Sequence, residues 1–453
     1  MNKKRIFFII FSCFFLLLFS GASGMAERLE LQSSFNPVGS GARALGMGGA
    51  FIAVADDATA ASWNPGGLIQ LKKPEISFVY SFLQQDEEND FLFQPESDGE
   101  HRVTSADLNY FSAAYPFEFL QRNMIFSLSY QRLYDFSRNW DYVFGNADPY
   151  FSYTDHWNFE QNGGLSAMGF SYGIQIIPDL SLGFTLNLWD DSLSKNSWRQ
   201  TYRIDRSGLL SETPFTASFY RTKDYSFEGL NCNLGILWRI HPKLTVGGVF
   251  KSPFTADIFY QEYKHYTETY RNHPEMNQSE LYRESRNEEL DMPISYGLGL
   301  VYRFSDQGSI SGDIYKTHWE DFIWRSPDGT ERSAVSGLNK KDSDIEPTCQ
   351  IRTGFEYLIL NKTRGYVIPL RCGIFYDPAP AEGSPDDYFG FSLGTGITQN
   401  DSFSLDMAYQ YRHGNDVGNA LLQDSTFSQD ITEHRFYISM IIYWPGNHNQ
   451  KNF

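Results

Sequence analysis

Ile294–Phe304 reads ISYGLGLVYRF, and two kinds of residue alternate along it. Ile294, Tyr296, Leu298, Leu300, Tyr302 and Phe304 fall on one side, Ser295, Gly297, Gly299 and Arg303 on the other. Successive side chains of a strand point to opposite faces, so this is a ribbon with one bulky apolar face and one small or polar face. Leu182–Trp189 repeats the pattern: Leu182, Phe184, Leu186 and Leu188 oppose Gly183, Thr185 and Asn187. Further on, Phe403, Leu405, Met407, Tyr409 and Tyr411 oppose Ser404, Asp406, Ala408, Gln410 and Arg412. Such ribbons suit a wall whose outer face meets lipid and whose inner face meets a lumen.

About fourteen such runs lie between Glu75 and Tyr443. Six joins are tight: Pro116–Asn123, Ile177–Leu180, Ile240–Leu244, Ser305–Gly308, Asn361–Gly365 and Thr398–Ser402. The joins between them, such as Ser137–Gly163 and Glu268–Asp291, are long and polar. An even number of antiparallel strands with short turns at one rim and long loops at the other is the layout of an outer-membrane barrel. The fold expected is therefore an all-β transmembrane antiparallel barrel of about fourteen strands, with Arg435–Trp444 closing it against Glu75–Phe82. Closure pairs every backbone polar group, as a bilayer requires.

Composition agrees. Aromatic residues make up 17% of the 453-residue chain, enough for belts at two water interfaces. Beyond the N-terminus no apolar run reaches the roughly 20 residues of a helical span. Lys3, Lys4 and Arg5, the apolar Ile6–Phe19 and the small-residue Ser20–Ala26 form a secretory signal, with cleavage after Gly24 or Ala26. Cys13 sits within the apolar region and does not read as a lipoprotein cysteine. Removing the three basic residues takes the net charge from −18 to −21, which excludes nucleic acid as a natural partner. Cys232, Cys349 and Cys372 remain, all in the apolar phase of their runs. The register across Asn361–Gly365 sets Cys349 and Cys372 too far apart to bridge.

Residues 36–68, NPVGSGARALGMGGAFIAVADDATAASWNPGGL, lack strand alternation and are dense in glycine and alanine. Small residues permit the close backbone packing that a plug inside a lumen demands. Asp57 is placed to cap a short helix through Ala58–Ser62, stopped by Asn64-Pro65. A phosphate cradle fails: Phe51 stands where G-x-G-x-x-G needs glycine, and no strand precedes it. The division expected is a signal peptide (1–24), an N-terminal hatch (25–74), the barrel (75–444) and a polar tail (445–453).

The chain resembles the FadL/TodX family of long-chain fatty acid and hydrocarbon transporters of Gram-negative outer membranes. The resemblance rests on Gly39–Ala50 (GSGARALGMGGA), Ala55–Ala58 (ADDA) and Trp63–Leu68 (WNPGGL), with later matches at Asn233–Phe254, Met292–Phe304 and Pro369–Pro378. It departs at Asn64-Pro65-Gly66, where the family reads N-P-A. It implies a hatch built on Gly41, Arg43, Gly46, Gly48, Gly49, Asp56, Asp57, Asn64, Pro65 and Gly66. It also implies passive uptake of hydrophobic compounds by a monomer set among outer-membrane lipid and lipopolysaccharide, with no cofactor. The same glycine-rich stretch occurs in barrels tied to protein secretion or envelope assembly, the alternative reading.

Capture of an apolar solute needs exposed apolar groups. Tyr150, Phe151, Tyr153, Trp157 and Phe159 crowd one proposed loop; Leu209, Leu210, Phe215 and Phe219 another. Phe151, Trp157, Phe215 and Phe219 are the ligand candidates there, with an aromatic girdle or loop packing as the competing role. In the lumen phase, Arg303 and Arg371 are placed to hold a carboxylate head, or to form buried salt bridges with acids such as Glu356 and Asp406. Enzyme chemistry is not expected: the nine histidines are scattered, with no H-x-x-x-H spacing and no wall Ser/His pair, and no metal site is expected.

Overall fold

The computed structural model describes residues 39–92, 94–399, 402–418 and 427–444. The stretches read from the sequence as signal peptide, first part of the hatch and polar tail lie outside the described residues.

Twenty strands form one antiparallel sheet. They are β1 (Glu75–Phe91), β2 (Gly99–Phe119), β3 (Arg122–Asp135), β4 (Arg138–Ala147), β5 (Phe151–Ile177), β6 (Leu180–Trp189) and β7 (Asn196–Leu210). Next come β8 (Thr213–His241), β9 (Leu244–Lys251), β10 (Phe254–Tyr270), β11 (Gln278–Met292), β12 (Ser295–Arg303), β13 (Gly308–Thr317), β14 (Ile323–Arg325) and β15 (Glu331–Ser333). The last are β16 (Thr348–Asn361), β17 (Tyr366–Tyr376), β18 (Phe389–Gln399), β19 (Phe403–Val417) and β20 (Phe427–Tyr443).

Fourteen of these close the barrel, in the order β1-β2-β3-β5-β6-β8-β9-β12-β13-β16-β17-β18-β19-β20. β20 returns to β1 with Glu75 opposite Tyr443 and Phe82 opposite Phe436. The wall has the polarity expected: Leu298 and Leu300 face outward and exposed, Ser295, Gly297 and Gly299 inward and buried. Cys349 and Cys372 are exposed, and Cys372 stands opposite Phe355, well along β16 from Cys349. Pro369 interrupts the β17–β18 ladder, which passes from Val367↔Thr398 directly to Leu370↔Thr395. Among the described residues no helix is long and apolar enough to cross a membrane.

The remaining strands correct the reading of the long joins. Ser137–Gly163 holds β4 and the first half of β5, and Glu268–Asp291 holds β11. Together β4, the upper half of β5, β7, the upper half of β8, β10, β11, β14 and β15 continue the sheet beyond the wall. Strand β8 shows why the pattern hid this. Its outward residues run Asp224, Ser226 and Glu228, then Leu230, Cys232, Leu234, Ile236 and Trp238; its inward residues run Tyr225 and Phe227, then Asn231, Asn233 and Gly235. Parity is kept but polarity inverts: below, the outside meets lipid; above, it meets water and the inside holds an apolar core. The β7–β8 turn is a two-residue hairpin with Ser211 and Glu212 at φ 47° and 69°, a conformation usually signalled by Asn or Gly.

Candidate functional site

Residues 39–71 pack inside the barrel. Gly41 at φ 112° opens helix α1 (Ala42–Gly46), and left-handed Gly48 and Gly49 turn the chain at its end. Helix α2 (Ala60–Trp63) is followed by a 3-10 turn, Pro65–Gln70. α2 starts later than Asp57 was expected to make it. Thr59 holds the N-cap position, and the Asp57 carboxylate instead accepts hydrogen bonds from the Thr59 amide (2.8 Å) and hydroxyl (2.5 Å). Burial pushes that carboxyl above its ordinary value, against the pull of Arg43 and the Thr59 bonds. The helix ends where Asn64-Pro65 was expected to stop it.

Small residues let the two backbones touch. A methyl on Gly66 would stand 2.9 Å from the Gly235 carbonyl oxygen of β8, and one on Gly46 would stand 3.0 Å from Gly394 Cα of β18. Side chains of the wall then satisfy the segment's peptide groups. Asp313 accepts from the Phe51 and Ile52 amides at 2.7 and 2.8 Å. Ser439 accepts from the Ala42 amide (2.6 Å) and Ser392 from Gly48 (2.8 Å). Ser311 donates to Ala50 O, Ser181 to Gly66 O and Thr185 to Ala61 O. Asn64 donates to the Ile52 carbonyl within the segment (2.8 Å) and the Ile236 carbonyl of the wall (2.9 Å), while accepting from Gly66. Trp63 donates to Ser40 O, tying the two ends of the segment together.

An ionic chain, buried at its Glu356–Arg371–Asp406 end and partly exposed at Arg43 and Asp56, crosses the same contact. Arg43 holds Asp56 at 2.6 Å and Glu356 through two bonds of 2.9 and 3.0 Å; Glu356 also accepts from Arg371 at 2.7 Å, and Arg371 reaches Asp406 at 2.5 Å. Burial opposes the charge on Arg43, but Asp56, Glu356 and Asp57 outweigh it and hold its pKa well above the ordinary value. Above lies a second chain: Arg352 and Arg412 share Asp377, and Arg412 and Arg435 share Glu433.

Of the ten residues named from the sequence for this segment, Gly46, Gly48, Gly49, Pro65 and Gly66 lie against the wall, and Asn64 and Arg43 bond to it; Asp56 binds Arg43, while Gly41 and Asp57 face Thr59 within the segment. The ligand candidates separate. Phe151 and Phe215 stack at 5.9 Å in one cluster with Tyr270; Trp157 and Phe219 pack on another with Phe144 and Phe159. Arg371 takes the salt-bridge role. Arg303 ends β12 beside the turn rim and donates to Thr245 Oγ1 at 3.4 Å. Three features were not foreseen. Asp313 and the wall serines carried only an inward-phase signal. The core of Phe136, Trp189, Trp198, Tyr225 and Trp324 fills the inside beneath β10, β11 and β14, with Trp198 and Tyr225 stacked at 4.6 Å.

A closed fourteen-stranded barrel with its own N-terminal segment folded against the inner wall is thus the class this chain represents. Among solved structures it has the fold of the FadL/TodX barrels. It matches a FadL homologue of Pseudomonas aeruginosa (TM-score 0.57, 14% identity, 91% of this chain and 100% of that one). The monoaromatic hydrocarbon channel CymD matches similarly (0.55, 15%, 92% and 100%), as does the toluene transporter TodX of Pseudomonas putida (0.54, 12%, 92% and 100%). No protein-family model matches the chain, and no curated protein matches it in sequence.

Proposed function

We propose that the protein sits in a Gram-negative outer membrane and takes up hydrophobic compounds, long-chain fatty acids or hydrocarbons, by passive diffusion through a barrel gated by its N-terminal segment. The observation that carries this reading is the seat of that segment: polar and ionic bonds and glycine contacts join it to the wall, and among the described residues its one covalent tie to the wall is the peptide chain that runs from Leu71 into β1. Such contacts make a separate unit that can shift while the wall keeps its own ladder. The outward band of leucine, isoleucine and phenylalanine supports a membrane setting. The shared fold with CymD and TodX supports hydrophobic cargo. Hatch movement admits the solute; Arg43, Asp56, Asn64 and Pro65 govern it.

Uptake of labelled fatty acid and toluene is the test, measured in cells expressing the protein and in liposomes holding nothing else. Accumulation in both is expected. Accumulation in cells alone points to a partner and to the secretion or assembly reading; accumulation in neither refutes transport.

A further inference from the structure

The space above the hatch differs around its circumference. On one side the aromatic core fills it. On the other, between β1–β3 and β16–β20, lies a cavity of about 120 Å³ floored by the hatch at Gly41, Leu45 and Trp63. Leu133 and Tyr134 line this cavity and also pack on the aromatic core, so one edge is apolar. Beside that edge stand Arg132 on the same strand and Asn109 on the neighbouring β2, and Arg435 of β20 completes the polar lining. Asn109 Oδ1, Arg132 Nε and Arg435 Nε are buried and have no hydrogen-bond partner in the protein among the described residues.

Both guanidiniums are already engaged: Arg132 holds Asp107 at 2.6 Å and Asp135 at 2.7 Å, and Arg435 holds Glu433 at 2.7 Å, a carboxylate it shares with Arg412. Asn109 Nδ2 donates to the Arg132 carbonyl at 3.2 Å, which leaves its oxygen as the free acceptor. An incoming carboxylate would find no uncommitted cation and several acids close by. A bare hydrocarbon would cover one free acceptor and two free donors and satisfy none, which a buried site penalises. A hydroxyl both donates and accepts.

Building on the transport reading above, we propose that this cavity binds the neutral, hydrogen-bonding head of an amphipathic compound, its apolar body lying against Leu133 and Tyr134. The cavity then holds an alcohol-like amphiphile more tightly than a plain hydrocarbon or a carboxylate, both of which still cross. At about 120 Å³ the cavity is smaller than the roughly 150 Å³ that holds benzene, so it takes the head and the adjoining part of the body while the rest extends out of it.

Fluorine NMR on the amphipol-held protein, with amphipol alone as blank, compares para-fluorobenzyl alcohol, para-fluorotoluene and para-fluorobenzoate. The alcohol is expected to bind at least about tenfold tighter than either, since a site built to hydrogen-bond a hydroxyl rejects analogues lacking it. Asn109→Leu keeps the volume, removes the free acceptor and is expected to bring the alcohol's advantage over fluorotoluene within about threefold. Fluorotoluene or fluorobenzoate binding as well as the alcohol overturns the proposal in the unaltered protein, whether or not the variant folds. An unchanged ratio in a folded variant overturns it too. If none of the three binds, the proposal also falls, while the fatty acid and toluene uptake assay decides separately on transport.

Discussion

Replacing Arg43 by methionine tests the ionic latch between hatch and wall. The side chain of Arg43 is 21% exposed, that of Asp56 25% and that of Glu356 6%. Breaking a fully buried pair costs about 3–5 kcal/mol, whereas an exposed pair is worth under about 1 kcal/mol. Arg43 lies between: Asp56 can rehydrate, and Glu356 keeps Arg371. We therefore expect the docked hatch to lose about 2–3 kcal/mol, with its displaced population rising about 30- to 150-fold at about 1.4 kcal/mol per tenfold. Planar-bilayer recording reads this as more frequent ion-conducting openings. The barrel's resistance to heat unfolding should be unchanged, because Arg43 takes no part in the strand ladder. Opening frequencies equal to those of the unaltered protein, in a variant that inserts normally, would refute the reasoning.

Replacing Asn64 and Pro65 together by alanine removes the Asn64 bonds to the Ile52 and Ile236 carbonyls and the stop after α2. Uptake should change while barrel assembly does not; unchanged uptake by the folded double variant removes the hatch's proposed role. Asp386, in the loop between β17 and β18, accepts from the Gly418 amide, and burial raises its pKa from 3.8 to about 6. Because the folded loop favours the protonated acid, its stabilising effect is complete below about pH 4 and is lost as pH rises through about 6. Hydrogen exchange of the loop should quicken over that window, and Asp386→Asn should flatten the dependence.

Much of the wall is legible in the sequence because lipid enforces one rule on every strand, apolar out and small or polar in. Ser295, Gly297 and Gly299 could be placed from that alternation alone. The rule fails above the bilayer. There Trp198, Tyr202 and Tyr225 turn inward while Arg199, Arg203 and Asp224 turn outward, so strands that keep the parity reverse the chemistry and read as loops. The β7–β8 hairpin was hidden by its turn chemistry, since Ser211-Glu212 gives no glycine signal. That residues 39–71 pack closely against the wall was legible from their glycine and alanine density. Their partners were not: pairing Arg43 with Glu356, or Asp313 with the Phe51 amide, depends on how strands distant in sequence are arranged around the barrel. Phe151 and Trp157, close in sequence, end in different clusters because aromatic contacts across strands, not along one, decide which rings meet.

Locking the hatch to the wall tests the central claim most directly. Ser439 Oγ lies 2.6 Å from the Ala42 amide, so Ala42→Cys with Ser439→Cys, in a chain whose Cys232, Cys349 and Cys372 are changed to alanine, puts one thiol on each side of this contact for oxidative cross-linking. Fatty acid and toluene uptake by the oxidised protein in liposomes should stop and return on reduction. Equal uptake by the locked and reduced forms, with the cross-link verified by mass spectrometry, would contradict a hatch-gated route.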